Sequence, residues 1–483
     1  MDIQDHGHFI AGKTVSAASG AHAEVLDPAT NQRIARVAAG TREDVDAAVE
    51  AARHAFESPE WRDLDPSKRG RLLWLVGQQV RDHFEELAQL ESLNVGKPLR
   101  EAKGDIAYVY KLFEYYAGLA DKIQGDTIPL PGTRLGYTVH EPQGVTAHIA
   151  PWNYPLLLAA RGIAPALAAG NTVVLKPATL TPLTALRLGE LASKAGFPPG
   201  VFNVITGPGG IVGNRLASHS DVDSITFTGS TETGRQIMQF AAKHVTPVTL
   251  ELGGKNPNIV FVDAKMDRAV RGVISGIFQN AGQMCWAGSR LFVHESIRAD
   301  FLRTLVRATA DLRLGPGSEE ATQMGPLVSR DQERSVIEYI EGGGRGGARV
   351  LIGGHKANSE KLRAGNFVEP TIFDEVAGDA SIAREEIFGP VLCAFGFDNE
   401  DEVIAAANDT EYGLAAGIWT QSLKTAHRVA RGLEAGMVSI NEFPITFPQM
   451  PFSGYKESAL GHEQGIDSVD RYTRVKSVTV NLE

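Results

Sequence analysis

The sequence predicts an α/β protein with two domains, each built on a largely parallel sheet, behind a helix-rich first quarter. Three observations carry that expectation. From about residue 143, short apolar runs alternate with stretches of helical periodicity, the pattern of successive βαβ units. The alternation begins afresh near Asn258. A chain of 483 residues also exceeds what one hydrophobic core organises.

Residues 41–58, TREDVDAAVEAARHAFES, open with a threonine and an acidic first turn. They then place Val45, Ala48, Val49, Ala52 and Phe56 at helical spacing, so an amphipathic helix is predicted. Segments 67–95 and 97–122 keep that spacing and extend the helical region. The runs GVTAHIA, NTVVLKP, VFNVITG, SITFTG and TPVTLEL are predicted strands of a doubly wound, nucleotide-binding sheet. The second alternation passes from NIVFVD through a helix over 266–281 and continues in RLFVHES, VIEYIEGG, ARVLIGG and PVLCAFGF. GGGRGG at 342–347 reads as a helix-to-strand connection rather than a phosphate cradle.

Composition narrows the function classes. The net charge is -11 with Lys and Arg scattered, which excludes a nucleic-acid partner that relies on phosphate neutralisation and favours a small molecule. The N-terminal MDIQDHGHFIAGKT lacks a basic segment followed by an apolar one. The most apolar region, 143–175, is interrupted by Pro151, Asn153, Pro155, Arg161 and Pro165, which a membrane span would not readily carry. A soluble, cytoplasmic protein with no membrane partner is expected. Two cysteines, Cys285 and Cys393, are too few for a disulfide framework, so each is core or chemistry.

Several motif matches fail on context. Gly7-His-Phe-Ile-Ala-Gly12-Lys13-Thr14 satisfies the phosphate-loop pattern, yet only six residues precede it and no helix follows, so a plain N-terminal hairpin is expected. Ser453-Gly-Tyr-Lys456 lacks the companion motifs of serine–lysine acyl enzymes. His294-Glu295 and His462-Glu463 have no second histidine four residues on, and no metal site is predicted.

Three segments remain. In Asn280-Ala-Gly-Gln-Met-Cys285, glycine and polar residues bring the chain round before a cysteine, which can present a thiol and its own N–H to a substrate oxygen; equally, Cys285 can be a small buried hydrophobe. Val248-Thr-Leu-Glu251-Leu-Gly-Gly places a carboxylate in an apolar strand, as a strand-end surface charge or as a desolvated general base. Ser224-Ile-Thr-Phe227-Thr-Gly229-Ser230-Thr-Glu-Thr-Gly234 runs from strand through a glycine turn into a helix, whose free N–H groups make an anion site.

Together these segments resemble the aldehyde dehydrogenase superfamily over essentially the whole chain. Leu250-Glu-Leu-Gly-Gly-Lys-Asn-Pro257 matches that family's glutamate signature, and Gly282-Gln-Met-Cys285 its cysteine signature, with the two reactive residues 34 positions apart as is usual there. Further matches are Pro151-Trp-Asn153-Tyr-Pro155, Lys176-Pro177, Gly196-Phe-Pro-Pro-Gly-Val-Phe-Asn203, Phe227-Thr-Gly-Ser230, Glu386-Ile-Phe-Gly-Pro390, and Pro451-Phe452 followed by Gly454-Tyr-Lys456. The resemblance implies oxidation of an aldehyde to its acid. Cys285 would be the nucleophile, Asn153 and the Cys285 N–H the oxyanion donors, and Glu251 the base that hydrolyses the thioester. It implies NAD or NADP as cofactor, held by Trp152, Lys176, Gly207, Phe227, Gly229, Ser230, Gly234, Leu252, Glu386 and Phe388.

The same resemblance implies a Rossmann-like cofactor domain (1–123 and 143–254) and a catalytic α/β domain (255–456). A small β oligomerisation element (124–142 and 470–483) would make a homodimer or homotetramer. Tyr154, Arg161, Trp286, Pro444, Thr446 and Phe452, with Phe447 near them, are expected in the aldehyde pocket. Three departures stand out. Thr179 stands where NAD-preferring members carry a glutamate, which makes NADP admissible. Trp286, bulky where a small residue is usual, favours an aromatic or extended aldehyde. Gly162 replaces a lysine, with Arg161 before it. Arg161 either reaches the carboxylate of a semialdehyde or, as we favour from sequence, is a solvated residue on a helix surface. The rival readings are a CoA-acylating enzyme, whose members lack the glutamate base, and a non-catalytic protein on the same scaffold.

Overall fold

A computed structural model describes residues 4–483; the first three residues of the expected cofactor domain and of the N-terminal stretch lie outside it. The first sheet has eight strands, in the order Ala459–Leu460, Val248–Glu251, Ser224–Thr228, Val145–Ile149, Thr172–Lys176, Phe202–Val204, His8–Ile10, Lys13–Val15. Its five middle strands are parallel. Four of these, Val145–Ile149, Thr172–Lys176, Phe202–Val204 and Ser224–Thr228, are buried at every position, as helices on both faces of a parallel sheet require. The runs predicted as strands between 144 and 252 are the strands found.

The second sheet runs Arg349–Ile352, Thr371–Asp374, Val391–Phe397, Arg290–His294, Pro257–Val260, Ala415–Trp419, Met437–Ile440, parallel except for its first pair. A third sheet pairs Thr127–Pro129 with Arg134–Pro142, and the latter with Thr473–Asn481 over nine residues in antiparallel register. It leaves Ile128, Leu135, Val475 and Val480 exposed.

Local chemistry explains the helices that frame the first sheet. Thr41 caps Arg42–Glu57 reciprocally: Asp44 N–H donates to its hydroxyl and its own N–H donates to the Asp44 carboxylate at 2.8 Å. The segment 67–95 is two helices, Pro66–Asp82 and Phe84–Val95, interrupted at His83. The phosphate-loop match is a tight hairpin in which Ile10 pairs with Lys13 across Ala11 (φ 51°) and Gly12 (φ 76°), the left-handed pair such turns require.

Two further elements complete the frame. VIEYIEGG belongs to the helix Arg330–Arg345, where Val336, Ile340 and Gly343 are buried; that spacing is helical, and a short apolar run does not by itself distinguish helix from strand. After the second domain the chain returns, and Ala459–Leu460 pairs antiparallel with Leu250 and Glu251 at the edge of the first sheet. Among the described residues, no helix is long and apolar enough to cross a membrane.

Candidate active site

The helix Met266–Phe278 ends just before the cysteine motif, and Asn280 (φ 47°), Ala281 (φ 54°) and Gly282 (φ 75°) then take left-handed conformations in succession. Only at Gly282 is this without cost, and there a side chain is excluded outright, since a Cβ would lie 2.1 Å from the Gly389 carbonyl oxygen. The turn is tied to its surroundings by amides. Asn280 Nδ2 donates to the carbonyls of Asn153 and Gln283, and Asn153 Nδ2 donates to the Gln283 carbonyl at 3.0 Å. Asn256, from the glutamate motif, donates to the carbonyls of Cys285 (2.9 Å) and Ala287 (3.0 Å). Gly254 lets the two segments close, because a Cβ there would stand 2.3 Å from the Cys285 oxygen.

Cys285 is thus held half-buried at the wall of a cavity of about 220 Å³. Tyr154, Arg161, Trp286, Pro444, Thr446 and Phe452 line that same cavity. Phe447 does not; it is 50% exposed. A larger groove of about 870 Å³, between His6 and Glu190, contains none of the candidate residues. Cys393 lies in the core of the second domain, its thiol directed at the Ile382 carbonyl.

Glu251 ends the strand Val248–Glu251, is 1% exposed, and has no hydrogen-bond partner for either carboxylate oxygen. The surface-charge alternative is thereby removed. Burial holds its carboxyl well above the usual range, with Arg161 opposing and Glu463 reinforcing the rise. Burial likewise pushes the Cys285 thiol up to about 12, against the pull of the Arg161 guanidinium and with the help of Glu386 and Glu251.

Arg161 corrects the sequence reading most directly. It is 1% exposed, ion-paired with Glu463, and its guanidinium stacks 4.0 Å over the Phe452 ring, which also packs against Trp286. A cation in the otherwise apolar helix Pro155–Ala168 must find a buried carboxylate, and the chain supplies it from 302 residues away. Sequence reasoning passed over Glu463, weighing it only as part of a failed metal motif. Gly162 is equally constrained: a Cβ there would meet His148 Nδ1 at 2.7 Å, so the imidazole occupies the space a side chain would need.

The cofactor candidates gather along the ends of the parallel strands. Lys176 closes the strand Thr172–Lys176; its Nζ donates to the Pro177 carbonyl, and burial lowers its pKa to about 8. Ser230 caps the helix Thr231–Ala242, whose first-turn N–H groups form an anion site. Gly229 and Gly234 serve close packing, since Cβ atoms would press on the Phe227 ring at 2.5 Å and on Leu252 at 2.6 Å. Gly207 (φ 141°) accepts a hydrogen bond from the Thr179 hydroxyl at 2.8 Å. Glu386 spans the domains: Gly254 N–H donates to it at 3.1 Å, and burial raises its carboxyl to about 7. Trp152 meets Phe388 edge to face at 5.1 Å. No group of three metal-ligating side chains occurs among the described residues.

Comparison with known proteins places the whole chain in one family. Residues 14–478 match the model of the aldehyde dehydrogenase family. The betaine aldehyde dehydrogenase of Bacillus subtilis is 45% identical, over 98% of this chain and 97% of that protein. The hydroxyisobutyraldehyde dehydrogenase of Mycolicibacterium austroafricanum is 46% identical, over 98% and 94%. The NAD+ complex of aldehyde dehydrogenase from Bacillus cereus superposes with a TM-score of 0.97 at 46% identity, over 99% of this chain and 97% of that one. The chain belongs to the aldehyde dehydrogenase family.

Proposed function

We propose that this chain oxidises an uncharged aromatic or extended aliphatic aldehyde to its carboxylic acid, with Cys285 as nucleophile, Glu251 as base and NAD or NADP as hydride acceptor. The observation that carries the reading is Glu251: a fully buried carboxyl with both oxygens free, electrostatically coupled to a half-buried cysteine that opens on a cavity.

A neutral thiol is a weak nucleophile, so the resting Cys285 must give up its proton as it attacks the aldehyde carbon. Glu251, with its raised proton affinity, is suited to receive that proton. The oxyanion of the adduct falls to the Cys285 N–H and to Asn153, whose amide is oriented by its bond to Gln283. When bound, NAD(P)+ supplies the hydride acceptor, and a Cys285 thioester remains. Glu251 first passes the thiol proton to solvent and then takes one from water; hydroxide adds to the thioester carbon, the thiolate leaves and regains a proton from Glu251, and the acid is released.

The residues present fit the cofactor. Ser230 and the helix it caps offer N–H donors to a pyrophosphate, Lys176 keeps donors for a ribose, and Glu386 is an acceptor for ribose hydroxyls. Thr179, bonded to Gly207, puts no carboxylate beside Lys176, so a 2′-phosphate is tolerated.

The substrate preference follows from Arg161. Its charge is already matched by Glu463 through Nε, so a semialdehyde carboxylate would meet a neutralised guanidinium with an unpartnered Nη2 donor rather than a free cation. The guanidinium over Phe452 also disfavours a cationic tail. Trp286, Phe452 and Tyr154 then supply an aromatic wall for an apolar or weakly polar group. The exposed apolar positions of the third sheet, Ile128, Leu135, Val475 and Val480, would join copies of the chain into a homodimer or homotetramer. Incubation with a panel of aldehydes and either nucleotide tests the proposal. Reduced nucleotide is expected in the native protein and absent in Cys285→Ser; its absence with every aldehyde would sink the reading.

A further inference from the structure

The three left-handed residues before Cys285 include two that are not glycine, Asn280 and Ala281, and such a run does not persist unless its surroundings hold it. Amide hydrogen bonds link the turn to Asn153 and Asn256. A carboxylate holds its backbone directly. Glu101, on the helix Leu99–Ala117 of the N-terminal helical region, accepts the backbone N–H of Asn280 through Oε2 at 2.8 Å. This carboxylate is anchored far from the turn in sequence, 179 residues away, and its side chain is 9% exposed. No intrahelical partner exists for that N–H once the chain leaves the helix Met266–Phe278, so without Glu101 it would be stranded in a closely packed place.

We propose that Glu101 is a positioning residue for the nucleophile: it clamps the strained turn in the one conformation that presents Cys285 to the cavity. It touches neither substrate nor thiol and acts only through the Asn280 N–H. The inference rests on reading Cys285 as the nucleophile, and the strain gives it a distinctive signature. If the clamp works against left-handed strain at Ala281, removing the strain must lessen the need for the clamp.

The test uses the full chain in a Cys393→Ala background, reading the rate at which iodoacetamide labels Cys285 and the burst of reduced nucleotide on mixing with aldehyde. Glu101→Leu is expected to change the labelling rate and to reduce the burst about tenfold, the scale of one charge-assisted hydrogen bond. Glu101→Gln keeps an acceptor and should stay within about threefold of the native protein. Adding Ala281→Gly to Glu101→Leu should recover most of the loss, because glycine takes the left-handed conformation without strain. Native behaviour in Glu101→Leu overturns the proposal, as does a double variant no better than the single one. Should Glu101→Leu fail to fold, hydrogen exchange of peptide 279–284 in Glu101→Ala, which removes the acceptor without adding apolar bulk, decides: about tenfold faster exchange supports the clamp, and unchanged exchange refutes it. Labelling requires no turnover, so a failed clamp is distinguishable from a chain that does not oxidise aldehydes.

Discussion

The imidazole of His148 lies where a side chain on residue 162 would have to begin, with Nδ1 2.7 Å from the position of a Gly162 Cβ. His148 is buried; burial lowers its pKa to about 3, and its Nε2 shares a hydrogen bond with Thr146 at 3.0 Å. It is therefore neutral and fixed. Gly162→Ala should destabilise the chain by about 1–3 kcal/mol despite the better helix propensity of alanine. The same change in a His148→Ala background should be neutral or favourable. Denaturant unfolding of the four proteins gives the coupling, and additive effects would show that the two positions do not compete for space.

Glu251→Gln removes the base and keeps the shape. A burst of reduced nucleotide that still approaches one equivalent but forms more slowly is expected, because Glu251 also takes the thiol proton, followed by steady turnover slowed about a hundredfold or more. Rapid-mixing absorbance separates the two phases. A burst formed at the native rate would confine Glu251 to the hydrolysis step.

The ligand-free thiol should label slowly near neutrality and ever faster with rising pH. Its pKa lies near 12, so the thiolate fraction grows about tenfold per pH unit below that. Arg161 pulls the thiol pKa down, so the paired variant Arg161→Met with Glu463→Gln, which leaves no stranded carboxylate, should label more slowly at every pH. Equal or faster labelling would mean that Arg161 has no electrostatic hold on Cys285.

Cofactor choice hangs on one position. Thr179→Glu places a carboxylate beside Lys176 and should lower kcat/KM for NADP about tenfold or more while leaving NAD little changed. Kinetics with both nucleotides at a fixed aldehyde concentration measures the ratio, and an unchanged ratio would detach residue 179 from the 2′ position.

An aldehyde with an apolar tail should be preferred to one of equal length ending in a carboxylate, by about tenfold or more in kcat/KM, because the Arg161 charge is already spoken for. The reverse order would mean that Glu463 releases Arg161 when substrate binds.

Much of this site is legible in the sequence because its parts are short and local. The strand ending at Glu251, the turn before Cys285 and the capped helix at Ser230 each declare themselves within a dozen residues. Arg161 does not, because its surroundings are supplied from 302 positions away, and a charged residue read without its partner looks solvated. Asn256, Glu101 and His148 are missed for the same reason: each acts on a segment distant in the chain, and nothing in their own neighbours marks them.

The return of Ala459–Leu460 to the edge of the first sheet bears on how the protein is made. A ribosome delivers Glu251 about 200 residues before the strand that covers it, an interval of roughly 10–40 s at ordinary elongation rates. Throughout that time the strand Val248–Glu251 has one unpaired side, open to pairing with another nascent chain. Fragments stopped before residue 459 should accordingly be prone to self-association, and the strand that carries the candidate base gains its last neighbour only near the end of synthesis.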